Sequence, residues 1–200
     1  MRRIFVFLNV LILADATVIA QSRFNYSEKW NAIERLMEGI LPQSALPEIE
    51  ALRQAALRDS EYGHLIKAVM TRNTCLQMTE EKPQIAVINS LTEDIQTVPF
   101  PARAMIYSLL GEAYLNFYNE NRWQIYNRTA VATESEDVET WEAARLIREI
   151  AHYYRLSLME AEQLQKTSIA AFKEALQENT DTRYLRPTLY DFLAHRTIDE

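Results

Sequence analysis

Glycine is scarce in this sequence, and its scarcity excludes several kinds of site. Only three glycines occur among the 200 residues, at Gly39, Gly63 and Gly111. They are too few and too scattered for the glycine-rich loops that cradle phosphate groups, and neither a G-x-G-x-x-G nor a Walker motif is present. The common nucleotide-binding sites are therefore excluded at the level of motifs.

Cysteine is scarcer still, since Cys75 is the only one. A single thiol cannot form an internal disulfide, so packing alone must hold the fold together. Cys75 lies within a predicted helix, where a small buried apolar residue is the expected role. The alternative is a reactive thiol.

Several patterns of known folds and enzymes are missing as well. No stretch shows sustained alternation of polar and β-branched residues, so we predict no significant sheet. The metalloprotease motif H-E-x-x-H and the hydrolase motif G-x-S-x-G do not occur. The sequence also has no basic stripe, and its net charge is −7. Because such a chain repels phosphate backbones, nucleic acid is not expected as a partner.

The first twenty residues, MRRIFVFLNVLILADATVIA, form a separate segment. Arg2 and Arg3 precede an apolar run from Ile4 to Leu13, and small residues lead up to Ala20. This layout predicts a signal peptide over residues 1–20, and hence export to the periplasm or secretion. A membrane anchor fits less well, because a bilayer span needs about 20 mostly apolar residues. A twin-arginine signal would have a longer basic region.

The rest of the sequence has helical periodicity, and the hydrophobic fraction of 48% is ample for a core. Ser27 is expected to cap the first helix, which ends at Gly39; the second runs from Pro42 to Arg58. Asp59 or Ser60 is expected to cap the third, and Pro83 and Pro101 open the fourth and fifth. The faces expected to point inward are Trp30, Ile33 and Met37; Leu46, Ile49, Leu52 and Ala56; Tyr62, Leu65, Ile66, Val69 and Asn73; Ile85, Ile88, Leu91 and Ile95; and Ile106, Leu109, Leu110, Ala113, Tyr114 and Phe117.

Three more helices are predicted in the second half. Ser135 or Asp137 is expected to cap a long one, and a shorter one lies near Ile169 to Leu176. Pro187 suits the first turn of the last helix. The inward faces are expected to be Trp141, Ala144, Ile147, Ile150, Tyr154 and Leu158 in the long helix, and Leu189, Phe192, Leu193 and Ile198 in the last. Since the sequence stops there, the face of the last helix is expected to be uncovered, as in a fragment that continues beyond Glu200.

These helices predict an all-α domain over residues 21–200. Short links between helices of about 15–20 residues favour antiparallel pairs. The pairs start near Ser27, Ser60, Pro101 and Ser135. The interval of roughly 33 to 41 residues is typical of helical-repeat arrays such as tetratricopeptide proteins, although their consensus is not visible. The links Thr129–Asp137 and Gln177–Arg183 are expected to be the least ordered.

A metal site is the sharpest enzymatic hypothesis. The chain has two Glu-x-x-His pairs, each of which places both side chains on one helix face, and two further candidate glutamates. Together they match the ligand set of ferritin-like di-iron oxidoreductases. The residues are Glu61 and His64, Glu149 and His152, and Glu34 and Glu112. The favoured interpretation is chance, because glutamate is abundant and acidic residues at a helix start need no metal. We therefore assign no catalytic residue, no metal, no cofactor and no specific binding residue.

The segment YLNFYNENRWQIYNRT is dense in aromatic residues and asparagine. Its rings are Tyr114, Phe117, Tyr118, Trp123 and Tyr126. Rings and amides on one surface could bind a sugar or a peptide. Large rings at helical spacing more often fill the space between helices, so core packing is the preferred interpretation.

Five segments carry a resemblance to a known family. They are GILPQSALPEIEALRQAA, HLIKAVM, PARAMIYSLLGEAYLNFYNENRWQIYNRT, VETWEAARLIREI and LRPTLYDFLAHRTIDE, of which NRWQIYNRT and RPTLYDFLAHR are the most specific. In this order the chain, from Tyr26 to Glu200, resembles the helical N-terminal region of the large exported alpha-2-macroglobulin-like proteins of bacteria. The resemblance implies a very large chain that inhibits peptidases by capture, in some members through a Cys–Gln thioester.

The thioester motif itself is not matched. It requires Cys-x-Glu-Gln, whereas this chain has Cys75-Leu76-Gln77-Met78, and Met78 cannot form the acyl bond. No bait segment is visible either. The leading hypothesis is therefore a non-catalytic helical scaffold that contacts the downstream domains of the same larger chain and, through them, proteases. The alternative is a free-standing exported helical-repeat module that binds peptide or glycan.

Overall fold

The structure is a computed structural model, and it describes residues 24–126, 135–176 and 186–199. The predicted signal peptide, residues 1–20, lies outside the described residues. So does the link Gln177–Arg183, together with most of the link Thr129–Asp137. Predictions about these segments therefore stay predictions.

The described residues are helical throughout. Nine α-helices and two short 3-10 helices are present in these ranges, and the one β-feature is an isolated bridge between Ser168 and Thr188. The α-helices are α1 (Tyr26–Glu38), α2 (Pro42–Asp59), α3 (Tyr62–Thr79), α4 (Pro83–Thr97), α5 (Ala102–Glu120), α6 (Arg122–Tyr126), α7 (Ala143–Ser157), α8 (Ala161–Lys166) and α9 (Leu189–Asp199). The 3-10 helices are Val138–Thr140 and Ile169–Phe172. The all-α prediction is confirmed.

The starts of the first helices follow from local chemistry. Pro42 and Pro83 open α2 and α4 as predicted, because the first helical position needs no N–H donor. The cap of α1 is Asn25, whose side-chain oxygen accepts from the backbone N–H of Glu28 over 3.2 Å. The prediction that Ser27 caps α1 was wrong, because Ser27 lies inside the first turn.

The start of α3 also differs from the prediction. Glu61 occupies the capping position and makes no side-chain capping bond. Asp59 is the last residue of α2, and Ser60 ends that helix in the left-handed conformation, with φ 57°. Neither residue therefore caps α3.

Consecutive helices pack against each other, from α1 to α5 and then α5 against α7. The first residue of α1 contacts the last of α2, since the Tyr26 hydroxyl donates to Asp59 over 2.7 Å, which makes this pair antiparallel. Helices α2 and α4 run parallel, because residues in the second half of each are in contact: Arg53 of α2 donates to Asp94 of α4 over 3.1 Å. The helices therefore reverse direction from one to the next.

Two apolar clusters hold the helices together. The smaller cluster joins α1, α2 and α3 through Trp30, Ile33, Ala45, Ile49, Leu52, Ala68 and Cys75. The larger one runs from α2 to α9 and includes Ile66, Leu91, Ile106, Leu110, Phe117, Leu146, Phe172 and Leu193. The predicted inward faces of α1 to α5 supply four of the seven buried residues of the smaller cluster and 11 of the 25 of the larger one.

The predicted face of the long helix was right only in part: Trp141 and Tyr154 are buried and Ile150 and Leu158 pack against the larger cluster, but Ala144 and Ile147 are exposed. The helix begins only at Ala143, so Trp141 precedes it, and the buried side chains are Leu146, Tyr154 and Ser157. Ile147, predicted to point inward, is 52% exposed. The helix predicted near Ile169 to Leu176 was also misplaced, because α8 ends at Lys166 and only a 3-10 turn follows.

The last helix is covered by the described residues. Leu189 and Leu193 are fully buried in the larger cluster, and Arg196 bonds Ser108 and Glu112 of α5. The expectation of an uncovered apolar face was therefore wrong, with the exception of Ile198, which is 83% exposed. Pro187 precedes the helix, where its carbonyl accepts from Ile169 over 3.1 Å. The hypothesis that the chain is a fragment loses this support.

None of the helices in the described ranges combines the length and the hydropathy that a bilayer crossing requires.

Candidate functional site

A groove crosses three consecutive helices, α3, α4 and α5. It has a volume of about 220 Å³. Its lining comes from the second half of α3, the start and middle of α4 and the middle and later part of α5: Met70, Asn73, Thr74, Gln77, Gln84, Val87, Leu91, Leu109, Glu112, Ala113 and Asn116. We call this surface the amide groove.

The polar part of the amide groove is dominated by carboxamides, namely Asn73, Gln77, Gln84 and Asn116. Each carboxamide has two N–H donors and one carbonyl acceptor. Within the described residues, the buried Oδ1 of Asn73 has no hydrogen-bond partner. A buried acceptor without a donor is costly, and in native structures it calls for an explanation.

The apolar part of the amide groove lies between these amides. Val87 and Leu91 of α4 belong to the larger cluster, and Leu109 of α5 packs against it. Met70 of α3 is more exposed than a core residue would be. The groove thus combines an apolar base with hydrogen-bonding groups that can both donate and accept.

One carboxylate lines the amide groove, and it is held by α9. Arg196 donates to Glu112 over 2.6 Å and to the Ser108 hydroxyl over 3.1 Å. Beyond the lining, Gln84 donates to Glu120 at the end of α5. The bonds of Arg196 tie α5 to α9, and the bond of Gln84 ties α4 to α5.

A second groove lies on the other side of α5, between α5, α7 and α9. It has a volume of about 390 Å³ and a largely apolar lining: Leu115, Tyr118, Ile147, Ile150, Ala151, Tyr154, Arg155 and Thr197. The exposed Ile147 is part of it, and Ile198 follows Thr197 on α9. We call this surface the apolar groove.

The residues of the di-iron hypothesis do not come together. Nδ1 of His64 accepts from Trp30 Nε1 over 3.0 Å, and Lys67 and Arg196 engage Glu34 and Glu112 respectively. His152 lies exposed on α7 beside Tyr153. Within the described part of the chain, no group of three or more His, Cys, Asp or Glu residues is placed to hold a metal ion.

Cys75 is fully buried in the smaller cluster, with its Sγ 3.4 Å from the sulfur of Met37. Burial raises the pKa of its thiol, which disfavours the reactive thiolate. The interpretation of Cys75 as a buried apolar residue is confirmed.

The aromatic segment divides into two parts. Tyr114 and Phe117 are buried and Tyr118 packs against the core, as the core interpretation predicts. Trp123 and Tyr126 of α6 are 83% and 78% exposed, so for these two rings that interpretation was wrong. The turn of α6 explains the difference, because Ile125 takes the single inward position.

Tyr114 belongs to a ring stack that joins α5 to α7. Its centroid lies 5.6 Å from that of Tyr153 and 5.7 Å from that of Trp141, and Arg145 stacks on Trp141. Burial raises the pKa of both tyrosines. The phenols therefore stay neutral, as packing groups do.

A comparison of the chain with protein families, curated proteins and solved structures finds no match. The resemblance to the alpha-2-macroglobulin-like proteins therefore stays a prediction from the sequence.

Proposed function

We propose that this chain is a non-catalytic, exported helical scaffold of an alpha-2-macroglobulin-like endopeptidase inhibitor. It contacts the downstream domains of the same larger chain and, through them, proteases. The sequence resemblance motivates the proposal. In the described residues three of the six metal-ligand candidates, His64, Glu34 and Glu112, instead bond side chains of other helices, which agrees with a scaffold.

The observation that carries the proposal is the apolar groove. Ile147 and Ile150 on α7 line it together with Leu115 on α5, and Ile147 is half exposed. Burying such a surface against another protein gains about 25 cal/mol per Å² of apolar area. A domain that packs on this face would cover Ile147, which the described residues leave open.

The proposal includes the arrangement of the helices as a stacked, repeat-like array. Alternating helix directions from α1 to α5 are what stacked helix pairs of the tetratricopeptide type would have. Such arrays present extended surfaces to other proteins, which suits a scaffold.

The test is an association experiment between residues 21–200 and the downstream body, produced as separate proteins. Ile147→Asn is expected to weaken the association at least about tenfold, because a polar group would enter an apolar interface. The matched control is Arg148→Asn, on the neighbouring exposed position of α7. Equal affinity of the two variants, with both folded, would overturn the assignment of this face.

The exposed aromatic residues favour a second candidate, a free-standing module that binds peptide or glycan. Trp123 and Tyr126 present large rings at the surface of α6. Under this alternative, Trp123→Ala would abolish ligand binding and leave the fold intact. Retained binding to peptide and oligosaccharide arrays by the variant would exclude a role of this ring.

A further inference from the structure

The turns that join α1 to α2, α3 to α4 and α5 to α6 lie at one edge of the helix array. The end of α3 reaches the end of α1, where Cys75 Sγ lies 3.4 Å from Met37 Sδ. Gln84 at the start of α4 donates to Glu120 at the end of α5. Five exposed apolar side chains lie at these turns and on α6, and we call the surface they form the turn edge: Ile40, Leu41, Met78, Trp123 and Tyr126.

We propose that the turn edge binds a basic polypeptide segment of another protein. Lysine or arginine side chains of that segment pair with carboxylates of the edge, and its aliphatic side chains cover the apolar residues. The turn edge shares no residue with the apolar groove, so this inference goes beyond the proposed inhibitor function and does not depend on it. For the second candidate function, which uses the rings of Trp123 and Tyr126, it names the class of ligand.

Ile40 has a backbone conformation that isoleucine rarely adopts. Its φ of 54° lies in the left-handed region, where a β-branched residue is strained and glycine is preferred. The end of α1 imposes this conformation, because the Leu41 N–H donates to the Leu36 carbonyl over 2.9 Å and the Ile40 N–H to the Met37 carbonyl over 3.0 Å. The Ile40 side chain is 73% exposed, so packing within the described residues does not offset the strain. A residue that is both strained and exposed indicates a role outside the folded core.

The charges of the turn edge determine the kind of partner. Four exposed carboxylates flank the apolar residues at the ends of α1, α3 and α5: Glu38, Glu80, Glu81 and Glu120. The cations at these turns are Lys82, which is paired with Glu139, and Arg122. The turn edge is therefore acidic, and a basic partner is complementary to it.

This charge disfavours the other occupants that an exposed apolar surface suggests. Two copies of the turn edge would bring like charges together, and a surface of anionic lipid would do the same. A neutral bilayer that takes up Met78 would also draw the adjacent carboxylates of Glu80 and Glu81 out of water, which is unfavourable without a cation. A basic polypeptide supplies that cation, and its charged groups can also stack on exposed tryptophan and tyrosine rings.

The span of the turn edge sets the length of the segment. Helix α3 contacts both α1 and α5, and packed helices lie about 8–10 Å apart. The distance from the α1–α2 turn to the end of α5 is therefore about 20 Å. An extended chain of about six residues covers that distance.

The probe is a hexapeptide of alternating leucine and lysine, blocked at both ends and titrated into the protein while NMR follows the backbone amides. Binding in the millimolar range or tighter is expected, with shifts at Ile40, Leu41, Met78, Trp123 and Tyr126. Two control peptides replace either the lysines by glutamate or the leucines by serine, and each should bind at least about tenfold more weakly. Because the chain is acidic as a whole, the serine–lysine peptide measures the non-specific attraction.

Ile40→Gly separates binding from folding. Glycine relieves the strained conformation, so this variant should melt no lower than the unaltered protein. It should nevertheless bind the leucine–lysine peptide about tenfold more weakly, because an apolar contact is lost, and Trp123→Ala should have a similar effect. The matched control is Met159→Ala, which removes an exposed apolar side chain at the opposite edge, where Glu160 reaches Arg103 at the start of α5. It should leave the affinity unchanged.

Three results would overturn the proposal. They are an absence of binding by the folded protein, equal binding of the leucine–lysine and serine–lysine peptides, or unchanged affinity in Ile40→Gly. Binding to neutral phosphatidylcholine vesicles without binding to the peptide would reassign the turn edge to a membrane and would equally contradict it. Binding of maltotriose alone would also contradict it and would leave the second candidate function standing.

Discussion

Nδ1 of His64 accepts a hydrogen bond from Nε1 of Trp30 over 3.0 Å, which ties α1 to α3. The His64 ring also stacks on Tyr26, with ring centroids 4.3 Å apart and the planes parallel within 1°. This bond requires Nδ1 to be unprotonated, so the attachment of α1 depends on a neutral histidine.

Acid should weaken this attachment. The pKa of His64 is lowered mainly by burial of the ring. The positive charges of Lys67 and Lys173 lower it further, whereas the negative charges of Glu174 and Glu61 raise it. The unfolded chain therefore takes up the proton first, at its ordinary pKa of about 6.5. The stability that neutral His64 contributes is present above that pH and falls as the pH drops through and below it.

The measurement is urea unfolding of the protein and of His64→Gln across this pH range. The histidine protein should lose more stability on acidification than the variant, whose side chain does not titrate. His152→Gln, at the exposed histidine of α7, serves as control and should keep the full pH dependence. Identical slopes for the protein and His64→Gln would contradict the account of this bond.

Asp94 holds α4 to α2 and α3. It is 3% exposed and accepts from Arg53 over 3.1 Å and also from Arg72. Asp94→Ala should destabilise the fold by about 3–5 kcal/mol, because it removes the carboxylate from the largely buried guanidinium of Arg72 and leaves Arg53 with Glu50 alone. Glu93→Ala, one position earlier and exposed, should stay within about 0.5 kcal/mol. Denaturant unfolding of both variants measures the difference.

The aromatic segment contains one buried and one exposed ring whose removal can be compared. Phe117 is buried in the larger cluster, whereas Trp123 is 83% exposed. Phe117→Ala should cost about 3–5 kcal/mol of unfolding free energy, and Trp123→Ala about 0.5 kcal/mol or less. A large loss in the tryptophan variant, measured by calorimetry or urea unfolding, would show that α6 is packed differently.

The start of α9 is fixed by a reciprocal cap. The Thr188 hydroxyl donates to Asp191 over 2.6 Å, and the Asp191 N–H donates back to that hydroxyl oxygen over 3.2 Å. Thr188→Ala should cost about 1 kcal/mol. Thr74→Ala, whose hydroxyl bonds only a carbonyl of its own helix, should be nearly neutral. Thermal unfolding compares the two, and equal melting temperatures would exclude the cap as a source of stability.

Helical periodicity predicts α5 well and α7 poorly, for a physical reason. In α5 the positions Ile106, Leu110 and Phe117 leave one consistent apolar stripe. In α7 the adjacent Leu146 and Ile147 allow two faces, and packing against α5 decides between them. Tyr154 lies so close to Gly111 that an added Cβ would come within 3.2 Å of its ring. The spacing of apolar residues along the sequence does not indicate this close contact between Tyr154 and Gly111.

The candidate sites were less accessible to prediction than the fold. The stripe that includes Asn73 was placed correctly along α3, but the groove exists only because Gln84 and Asn116 arrive from α4 and α5. Likewise, the buried bond between Arg53 and Asp94 joins residues of different helices. Contacts between residues of different helices depend on how the helices pack, and the periodicity of the sequence does not specify this packing.

The size of the native polypeptide that carries this sequence tests the central claim most directly. An immunoblot of the exported fraction of the source cells, with an antibody against residues 24–126, measures it. A scaffold of an alpha-2-macroglobulin-like inhibitor should appear as an exported chain several times longer than the 200 residues here. A band no larger than these 200 residues, or one confined to the cytosol, would contradict the proposed function.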